Sequence, residues 1–261
     1  MITRQEIKRF ASLSFKKFRD ESGLFLVEGS RGVHEAIGSG VPLQVVVHAH
    51  DFADTAQGSR LLDALRGKHA RLEAVSARDL AALSDTVHAQ GIVAVVRKTA
   101  VAPEEVLSGH APRTLIVALD AVADPGNLGS ILRTCDWFGA DGVLLGRNCV
   151  DLYNPKVVRA TMGSIFHLRI AEGVDLGPLA ARAREGGFLL AVAEARGETP
   201  LPQAPSSGKL IVVVGNEARG VSEEIGRAAV LHLAIPRFGK AESLNVGVAC
   251  GIILAALRLG R

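Results

Sequence analysis

Polar residues that could bind a ligand occur in three short stretches, each placed directly after an apolar run. These stretches are residues 124–133, 215–222 and 236–245. Each combines glycine, which gives the backbone extra freedom, with side chains that donate and accept hydrogen bonds. Loops of this composition frequently carry binding or catalytic residues. The sequence therefore predicts a site built from three loops.

The first stretch opens a helix. In DPGNLGSILRTCDWF the apolar residues from Leu128 to Phe138 recur at helical spacing. Asn127 is expected to cap this helix by accepting from amides of its first turn. Arg133 lies off the apolar stripe, close enough to the helix start to share an anion site with free amides. The pattern allows a phosphate site, and a capped helix with an ordinary surface arginine is the alternative.

The second stretch follows the apolar run LIVVV and contains two glycines, which permit a backbone path that side chains would block. Ser222 is expected to begin the next helix, whose first turn carries Glu223 and Glu224. Asn216 and Glu217 are not needed for that turn. They are therefore candidates for ligand binding, although a plain polar loop would have the same pattern.

The third stretch connects the run HLAI to a C-terminal helix that is apolar nearly all the way round. Such a helix is expected to be buried. Ser243 is predicted to be its N-cap, with Asn245 in the first turn. Small residues permit a close backbone approach by a neighbour, namely Gly247, Ala249, Cys250 and Gly251.

Strand-like runs place these stretches on one sheet. From Thr114 onward the runs are TLIVALD, GVLL, FHLRIA, FLLAVAE, KLIVVVG and VLHLAI. Runs of this kind, separated by glycine-rich turns and helices, are typical of a parallel sheet covered on both faces. Ligands of such sheets bind beyond the carboxyl ends of the strands. The class is therefore α/β, and the loops after LIVALD, LIVVV and HLAI are where a site is expected.

The N-terminal part predicts a smaller α/β unit. Residues 24–97 alternate the runs LFLVEG, LQVVVHA and IVAVV with helical stretches at 31–38 and 59–66. Residues 98–113 interrupt this rhythm with two prolines and a glycine, which marks a linker. We expect domains at 1–108 and 109–261.

The composition indicates a globular protein. The chain has 261 residues, 48% of them hydrophobic, and a formal net charge of +3, which fits a polyanionic partner without requiring one. The basic N-terminal segment lacks the apolar core of a signal peptide, and residues 246–257 fall short of the roughly 18 needed to span a membrane. A cytoplasmic location is expected. Three widely spaced cysteines in apolar surroundings predict reduced, buried thiols, without a disulfide or a bound metal.

Three segments resemble, in order and spacing, the motifs of the SpoU/TrmH RNA 2′-O-methyltransferases: DPGNLGSILRTCDWFGADGVLL, LIVVVGNEARGVS and LAIPRFGKAESLNVGVACGIILA. The resemblance covers about residues 114–258, and DLYNPKVVRATMGSIFHLRI resembles the segment that connects the first two motifs. KKFRDESGLFLVEGSRGVHEAI is similar to the family's smaller substrate-binding domain, related in fold to ribosomal protein L30e.

The resemblance implies a fold, a cofactor and a reaction. The C-terminal domain would have the SPOUT fold with its deep trefoil knot, a rare exception to the rule against threaded chains. The cofactor would be S-adenosyl-L-methionine, the methyl acceptor a ribose 2′-hydroxyl of structured RNA, and the assembly a homodimer. Residues implied in methyl transfer or in organising its loops are Asn127, Arg133, Glu217, Ser243 and Asn245. Residues implied in cofactor binding, largely through backbone groups, are Gly215, Asn216, Ile235 and Leu244.

Other interpretations remain open at this stage. The N-terminal domain favours ribosomal over transfer RNA, and a non-catalytic RNA-binding protein that assists ribosome assembly is a further alternative. Such a protein need not bind S-adenosylmethionine. A nucleotide-dependent oxidoreductase is disfavoured because the Gly-x-Gly-x-x-Gly fingerprint is absent. Basic N-terminal residues either contact RNA phosphates or form a solvated helix face, namely Lys8, Arg9, Lys16, Lys17 and Arg19.

Overall fold

The structure, a computed structural model, describes residues 2–68, 70–84, 90–108, 111–205 and 207–260. Its contacts divide the chain into two compact units. The first comprises Met1–Thr99 with Asp151–His167, and the second Ala100–Val150 with Leu168–Arg261. The domains 1–108 and 109–261 stay a prediction from the sequence. In the structure, residues 151–167 pack with the N-terminal unit.

Helices and strands alternate along most of the chain. The helices are α1 (Arg4–Ala11), α2 (Lys16–Ser22), α3 (Ser30–Ser39), α4 (His50–Ala53), α5 (Ala56–Arg66), α6 (Ala77–Ala81), α7 (Pro103–Leu107), α8 (Pro125–Trp137), α9 (Pro155–Ala160), α10 (Leu176–Glu185), α11 (Glu223–Ala228) and α12 (Val246–Leu259). The strands are β1 (Leu24–Glu28), β2 (Leu43–Ala49), β3 (Leu72–Val75), β4 (Ile92–Arg97), β5 (Thr114–Leu119), β6 (Gly142–Gly146), β7 (Ile170–Val174), β8 (Phe188–Ala193), β9 (Thr199–Pro200), β10 (Lys209–Val214) and β11 (Leu231–Ala234).

The first unit contains a four-stranded sheet in the order β1-β4-β2-β3. Strand β4 is antiparallel to both β1 and β2, whereas β3 is parallel to β2. The three strand runs expected here are confirmed. Strand β3 was not expected, because LEAV is short and carries a charged residue among three apolar ones.

The segment 151–167 is held to this unit by a buried ion pair. The Arg19 guanidinium contacts the Asp151 carboxylate, and both side chains are almost fully buried. Arg19 also donates to the carbonyls of Leu13 at 2.7 Å and Ser14 at 2.8 Å. The expectation that Arg19 contacts RNA phosphates is therefore wrong, because its donors are committed inside the unit.

The second unit contains a seven-stranded sheet in the order β7-β6-β5-β10-β8-β11-β9, and every pair in it is parallel. The predicted parallel sheet is confirmed. One run was misplaced: FHLRIA was expected to be a strand, but residues 164–166 form a 3₁₀ turn and β7 begins at Ile170. The trefoil knot stays a prediction from the family resemblance.

Helices cover this sheet on both faces. Helices α7, α10 and α11 share a buried cluster with Ile116, Leu144 and Ile211 of the sheet. Residues that point to the other face of the sheet, such as Val117 and Val212, are equally buried. Helices α8 and α12 pack against each other.

Helix α12 differs from the expectation that it is buried on all sides. Its small residues do face a close neighbour, since a Cβ at Gly251 would lie 3.6 Å from the Thr134 methyl group of α8. However, Val248 and Leu259 are 52% and 74% exposed, and Ile252 is also exposed. Since α8 packs against only one side of α12, this second apolar stripe is left open. None of the described helices is long and apolar enough to cross a membrane.

Candidate active site

The first loop joins β5 to α8. Asp124, not Asn127, caps α8, since its Oδ1 accepts from the Asn127 backbone N–H at 2.8 Å. The predicted cap was wrong because Pro125 already begins the helix at N1, a position that proline favours. Asn127 therefore lies inside the first turn, where its side chain is not used for capping.

The second loop joins β10 to α11 and is shaped by Asn216. Its side-chain oxygen accepts from the N–H groups of Ala218 at 3.0 Å and Arg219 at 3.2 Å. Its backbone pairs in both directions with Gly220, which has φ +71°. A Cβ at Gly215 would overlap the Gly220 backbone, so the loop closes tightly only with glycine there.

The first and second loops are fastened to each other. The Asn216 amide donates to the Ala121 carbonyl at 2.9 Å, and the Ser222 N–H donates to the Asp120 carboxylate at 2.7 Å. Ala121 has φ +60°, a left-handed conformation that is unfavourable for a residue with a Cβ. The two loops meet because β5 and β10 are neighbours where the strand order reverses, which is the usual ligand position in such sheets.

The third loop joins β11 to α12 and ends at Asn245, which is the N-cap of α12. The Asn245 Oδ1 accepts from the N–H groups of Gly247 at 2.9 Å and Val248 at 3.3 Å. The expected cap, Ser243, lies two residues too early. Both residue types are good caps, so the sequence alone did not separate them.

Asn127 joins all three loops. Its amide nitrogen donates to the Glu217 carboxylate at 2.7 Å, and its amide oxygen accepts from the Asn245 amide at 2.9 Å. The donor and acceptor ends of one amide are therefore fixed by residues about 90 and 118 positions away. The loops expected to meet at the sheet edge do meet.

A cavity of about 370 Å³ opens beside this junction. Six of the residues singled out from the sequence line it, namely Gly215, Asn216, Glu217, Ile235, Ser243 and Leu244. Asn127 and Asn245 do not line the cavity themselves. Asn127 is hydrogen-bonded to the lining residue Glu217 and to Asn245. A volume in this range is typical of small-molecule sites.

Sequence reasoning missed part of the wall. Glu194 lines the cavity directly after β8, with the His232 ring nitrogen 3.2 Å from its carboxylate. Phe238 also lines it and is 99% exposed. The position of Glu194 at the carboxyl end of a central strand was the available signal, because ligands of parallel sheets bind beyond such strand ends.

The cavity suits a cofactor with an apolar ring, a cationic centre and several hydrogen-bonding groups. Apolar side chains such as Leu233, Leu244 and Ile253 form much of its lining, together with three carboxylates. From residue 237 to 244, no backbone N–H donates to another described residue, so these donors are available to a ligand. These features match S-adenosylmethionine, whose sulfonium and ammonium groups carry positive charge.

Arg133 stands apart from the hydrogen-bonded cluster. It lies six residues beyond Asn127 on α8, or about 9 Å along the helix axis. Its side chain is exposed and forms no hydrogen bond or ion pair with the described part of the chain. Its guanidinium is therefore available to an external anion.

The cysteines take no part in the site. Cys135 and Cys250 are buried, and Cys149 is half-buried, so the expectation of burial holds for two of the three. The Cys250 thiol and burial raise the pKa of Cys135, which makes its thiol unreactive. Within the described ranges, no group of three His, Cys, Asp or Glu side chains could hold a metal ion.

Comparison with known proteins assigns the chain to a family. Residues 114–255, which contain all three loops, match the SpoU rRNA Methylase family. The chain belongs to this family. Residues 4–94 of this SpoU protein match the MRM3-like substrate binding domain.

Relatives of this SpoU protein match it along nearly its whole length. The 23S rRNA (guanosine(2553)-2′-O)-methyltransferase RlmP of Bacillus subtilis is 32% identical over 97% of this chain and 96% of its own. The crystal structure of AviRb from Streptomyces viridochromogenes with its cofactor AdoMet superposes with a TM-score of 0.87, at 26% identity over 99% and 100% of the chains. An AdoMet-bound rRNA methyltransferase from Sinorhizobium meliloti gives 0.85, at 28% identity over 99% and 96%.

Membership confirms the main expectations from the sequence. The SpoU protein is an S-adenosylmethionine-dependent RNA ribose 2′-O-methyltransferase, built from a parallel-sheet domain and a smaller N-terminal α/β domain. The SpoU/TrmH resemblance is thereby confirmed as well. The roles of the individual site residues stay predictions.

Proposed function

We propose that this SpoU enzyme methylates a ribose 2′-hydroxyl of ribosomal RNA at the junction of its three loops. The observation that carries the proposal is Asn127, which is bonded to Glu217 and Asn245 beside a cavity suited to S-adenosylmethionine. Ribosomal RNA is favoured over transfer RNA because a relative that matches 97% of the chain, RlmP of Bacillus subtilis, is a 23S rRNA methyltransferase. The alignment with this relative covers nearly the whole chain, and so also the residues that match a substrate binding domain.

Positioning supplies much of the rate in this proposal. The cofactor supplies a methyl group already activated by its positive sulfur, whereas a ribose hydroxyl is a weak nucleophile. Holding two reactants in line is worth roughly 7–11 kcal/mol. The Asn127 bridge keeps α8, which carries Arg133, in register with the second and third loops, which line the cavity. Asn127 and Asn245 are thus positioning residues.

Arg133 is assigned to the acceptor. A guanidinium keeps its proton at ordinary pH, so Arg133 is not a general base. Instead, it binds the phosphate and the 2′-oxygen together and stabilises the developing negative charge, while phosphate or water takes the proton. Its exposure and its lack of a described partner leave its fork of donors available for this role.

Glu217, Ser243 and the backbone of the loops are assigned to the cofactor side. Gly215, Asn216, Ile235 and Leu244 form the wall together with Ser243. The Glu217 carboxylate is shared between the wall and the Asn127 amide. It therefore couples cofactor binding to the position of α8.

The enzyme is further proposed to work as a homodimer in the cytoplasm, where its RNA substrate would be found. Val248, Ile252 and Leu259 recur at helical spacing on α12 and are exposed, although they are apolar. An apolar stripe of this kind is typical of a surface that a partner covers. A second copy is the expected partner because symmetric dimers are the commonest assembly.

Labelled methyl transfer to separated RNA classes tests the substrate. The wild-type enzyme is incubated with labelled S-adenosylmethionine and with ribosomal and transfer RNA that lack their own modifications, and the product is mapped by mass spectrometry. Label in ribosomal RNA at a single ribose is expected. Label in transfer RNA alone would show that the substrate is transfer RNA instead of ribosomal RNA. RNA binding without cofactor binding in calorimetry would instead identify a non-catalytic ribosome-assembly factor.

A further inference from the structure

A basic groove crosses the first unit between α3 and α5, and nothing in the catalytic assignment uses it. It encloses about 650 Å³ and is lined by Ser30, Arg31, His34, Ala56, Gln57, Arg60, Leu61 and Ala64. Arg31 and His34 come from α3 and Arg60 from α5, so the two helices place three basic side chains in one groove. None of the lining residues that the structure describes is acidic.

The groove's basic side chains are available for binding. Arg31, His34 and Arg60 are exposed, and none forms a hydrogen bond or an ion pair with a described residue. This distinguishes them from the basic residues of α2. There Lys16 pairs with Asp20 at 2.6 Å, and Arg19 is buried against Asp151.

The acidic residues of the two helices are directed to other partners. Glu35 of α3 contacts the His167 ring at 3.3 Å, and Asp63 of α5 pairs with Arg66 at 2.6 Å. The groove therefore keeps its positive charge, because no carboxylate of a described residue is bonded to its arginines. Guanidinium groups are well suited to phosphate, since they offer a planar fork of donors.

We infer that this groove binds the sugar-phosphate backbone of the RNA substrate, with Arg31 and Arg60 each contacting a phosphate. The inference rests on the proposed function, since it takes the substrate to be RNA. The groove lies within the residues that match a substrate-binding domain. Its described lining has no Phe, Tyr or Trp side chain that would form a stacking platform for bases, so it fixes position without reading sequence.

The test compares the salt dependence of RNA binding in matched variants. The full-length Arg31→Gln/Arg60→Gln double variant is titrated with an unmodified 23S rRNA transcript at several salt concentrations. Each lost phosphate contact lowers the slope of log K against log salt by roughly 0.7–0.9, so a total decrease of about 1.4–1.8 is expected. In methyl transfer, KM for the transcript should rise about tenfold or more. The values of kcat and of Kd for S-adenosylmethionine should stay unchanged.

The matched control is Arg66→Gln, which removes an arginine from the same helix but outside the groove. It should leave the slope and KM at wild-type values. An unchanged slope in the double variant would overturn the inference, as would an equal decrease in the control or a wild-type enzyme that does not bind the transcript. RNA binding is measured without methyl transfer, so failure of the proposed function can be distinguished from failure of the inference about the groove. The wild-type enzyme could transfer no methyl group to RNA while the salt slope still decreases in the double variant. That result would support RNA binding by the groove and contradict the proposed reaction.

Discussion

Arg133 is the residue whose role depends most on side-chain chemistry. It is exposed on α8, outside the cluster around Asn127, and the proposed reaction requires its guanidinium to hold a phosphate and a ribose oxygen together. Lysine keeps the charge but offers only a point donor. The proposed role of Arg133 therefore depends on the planar set of N–H donors in its guanidinium, not on its charge alone.

Replacing Arg133 with lysine should lower kcat for methyl transfer by about 10–150-fold, as expected for losing roughly 1.5–3 kcal/mol of charged hydrogen bonding. Calorimetry should give an unchanged Kd for S-adenosylmethionine. The matched control is Arg182→Lys on α10, whose exposed side chain pairs with Glu104. Near-normal turnover of the Arg133→Lys enzyme would contradict the bidentate role.

The sequence predicted which residues lie at the site more accurately than it predicted the hydrogen bonds that each of them makes. Asn127 and Ser243 were both expected to cap helices, yet Asp124 and Asn245 do so. Each true cap lies within three residues of the expected one and belongs to an equally favourable type. The side-chain partners depended on contacts across about 90 positions or more, which local patterns do not contain.

Among the elements, α12 links helix stability to the site through Asn245. One end of its amide caps the helix, and the other end donates to Asn127. These two roles require different atoms. A carboxylate in the same place would keep the cap and lose the donor.

The Asn245→Asp variant should therefore unfold in urea within about 0.5 kcal/mol of wild type, because aspartate is an equally good cap. Its methyl transfer should fall by at least about tenfold, since the bond to Asn127 is lost. Asn245→Ala is the companion variant, and it should lose about 1 kcal/mol of stability as well as activity. Full activity of Asn245→Asp would show that the bond between the two asparagines is dispensable.

A buried ion pair between Arg19 and Asp151 is one of the contacts that hold the segment 151–167 to the first unit. Asp151→Ala leaves the Arg19 guanidinium buried with only its two carbonyl partners. Removing one member of a buried pair costs about 3–5 kcal/mol. Urea denaturation should show a loss near 3 kcal/mol, the lower end of that range.

The control for Asp151→Ala is Glu223→Ala, which breaks the exposed pair with Arg227 on α11. Exposed pairs contribute less than about 1 kcal/mol. Equal losses in the two variants would contradict the structural importance of the buried pair.

Elements with strong local patterns were predictable, and those defined by their neighbours were not. Strands β5 and β10 are uninterrupted apolar runs and were placed to within one residue. The start of β7 was misplaced because apolar residues at 165 and 166 belong to a 3₁₀ turn. The exposed stripe of α12 could not be read from its composition, since a helix that is apolar all round does not show which sides are covered.

For the whole molecule, the exposed stripe of α12 predicts an assembly. Ile252→Glu places a charge in the stripe and should shift sedimentation from dimer to monomer, with a loss of methyl transfer. Val230→Glu is the control, because Val230 is 55% exposed but lies outside α12. A wild-type enzyme that sediments as an active monomer at assay concentration would contradict the dimer.

The central claim is that three separate loops form one cavity from which a methyl group reaches a ribose oxygen. A 2′-O-methyl group blocks alkaline cleavage of the adjoining phosphodiester, because the attacking hydroxyl is gone. The most direct measurement is alkaline hydrolysis of RNA labelled by this enzyme with methyl-labelled S-adenosylmethionine. The label should be recovered in alkali-resistant dinucleotides. Label in mononucleotides, which would indicate methylation of a base, or no label at all, would contradict the account.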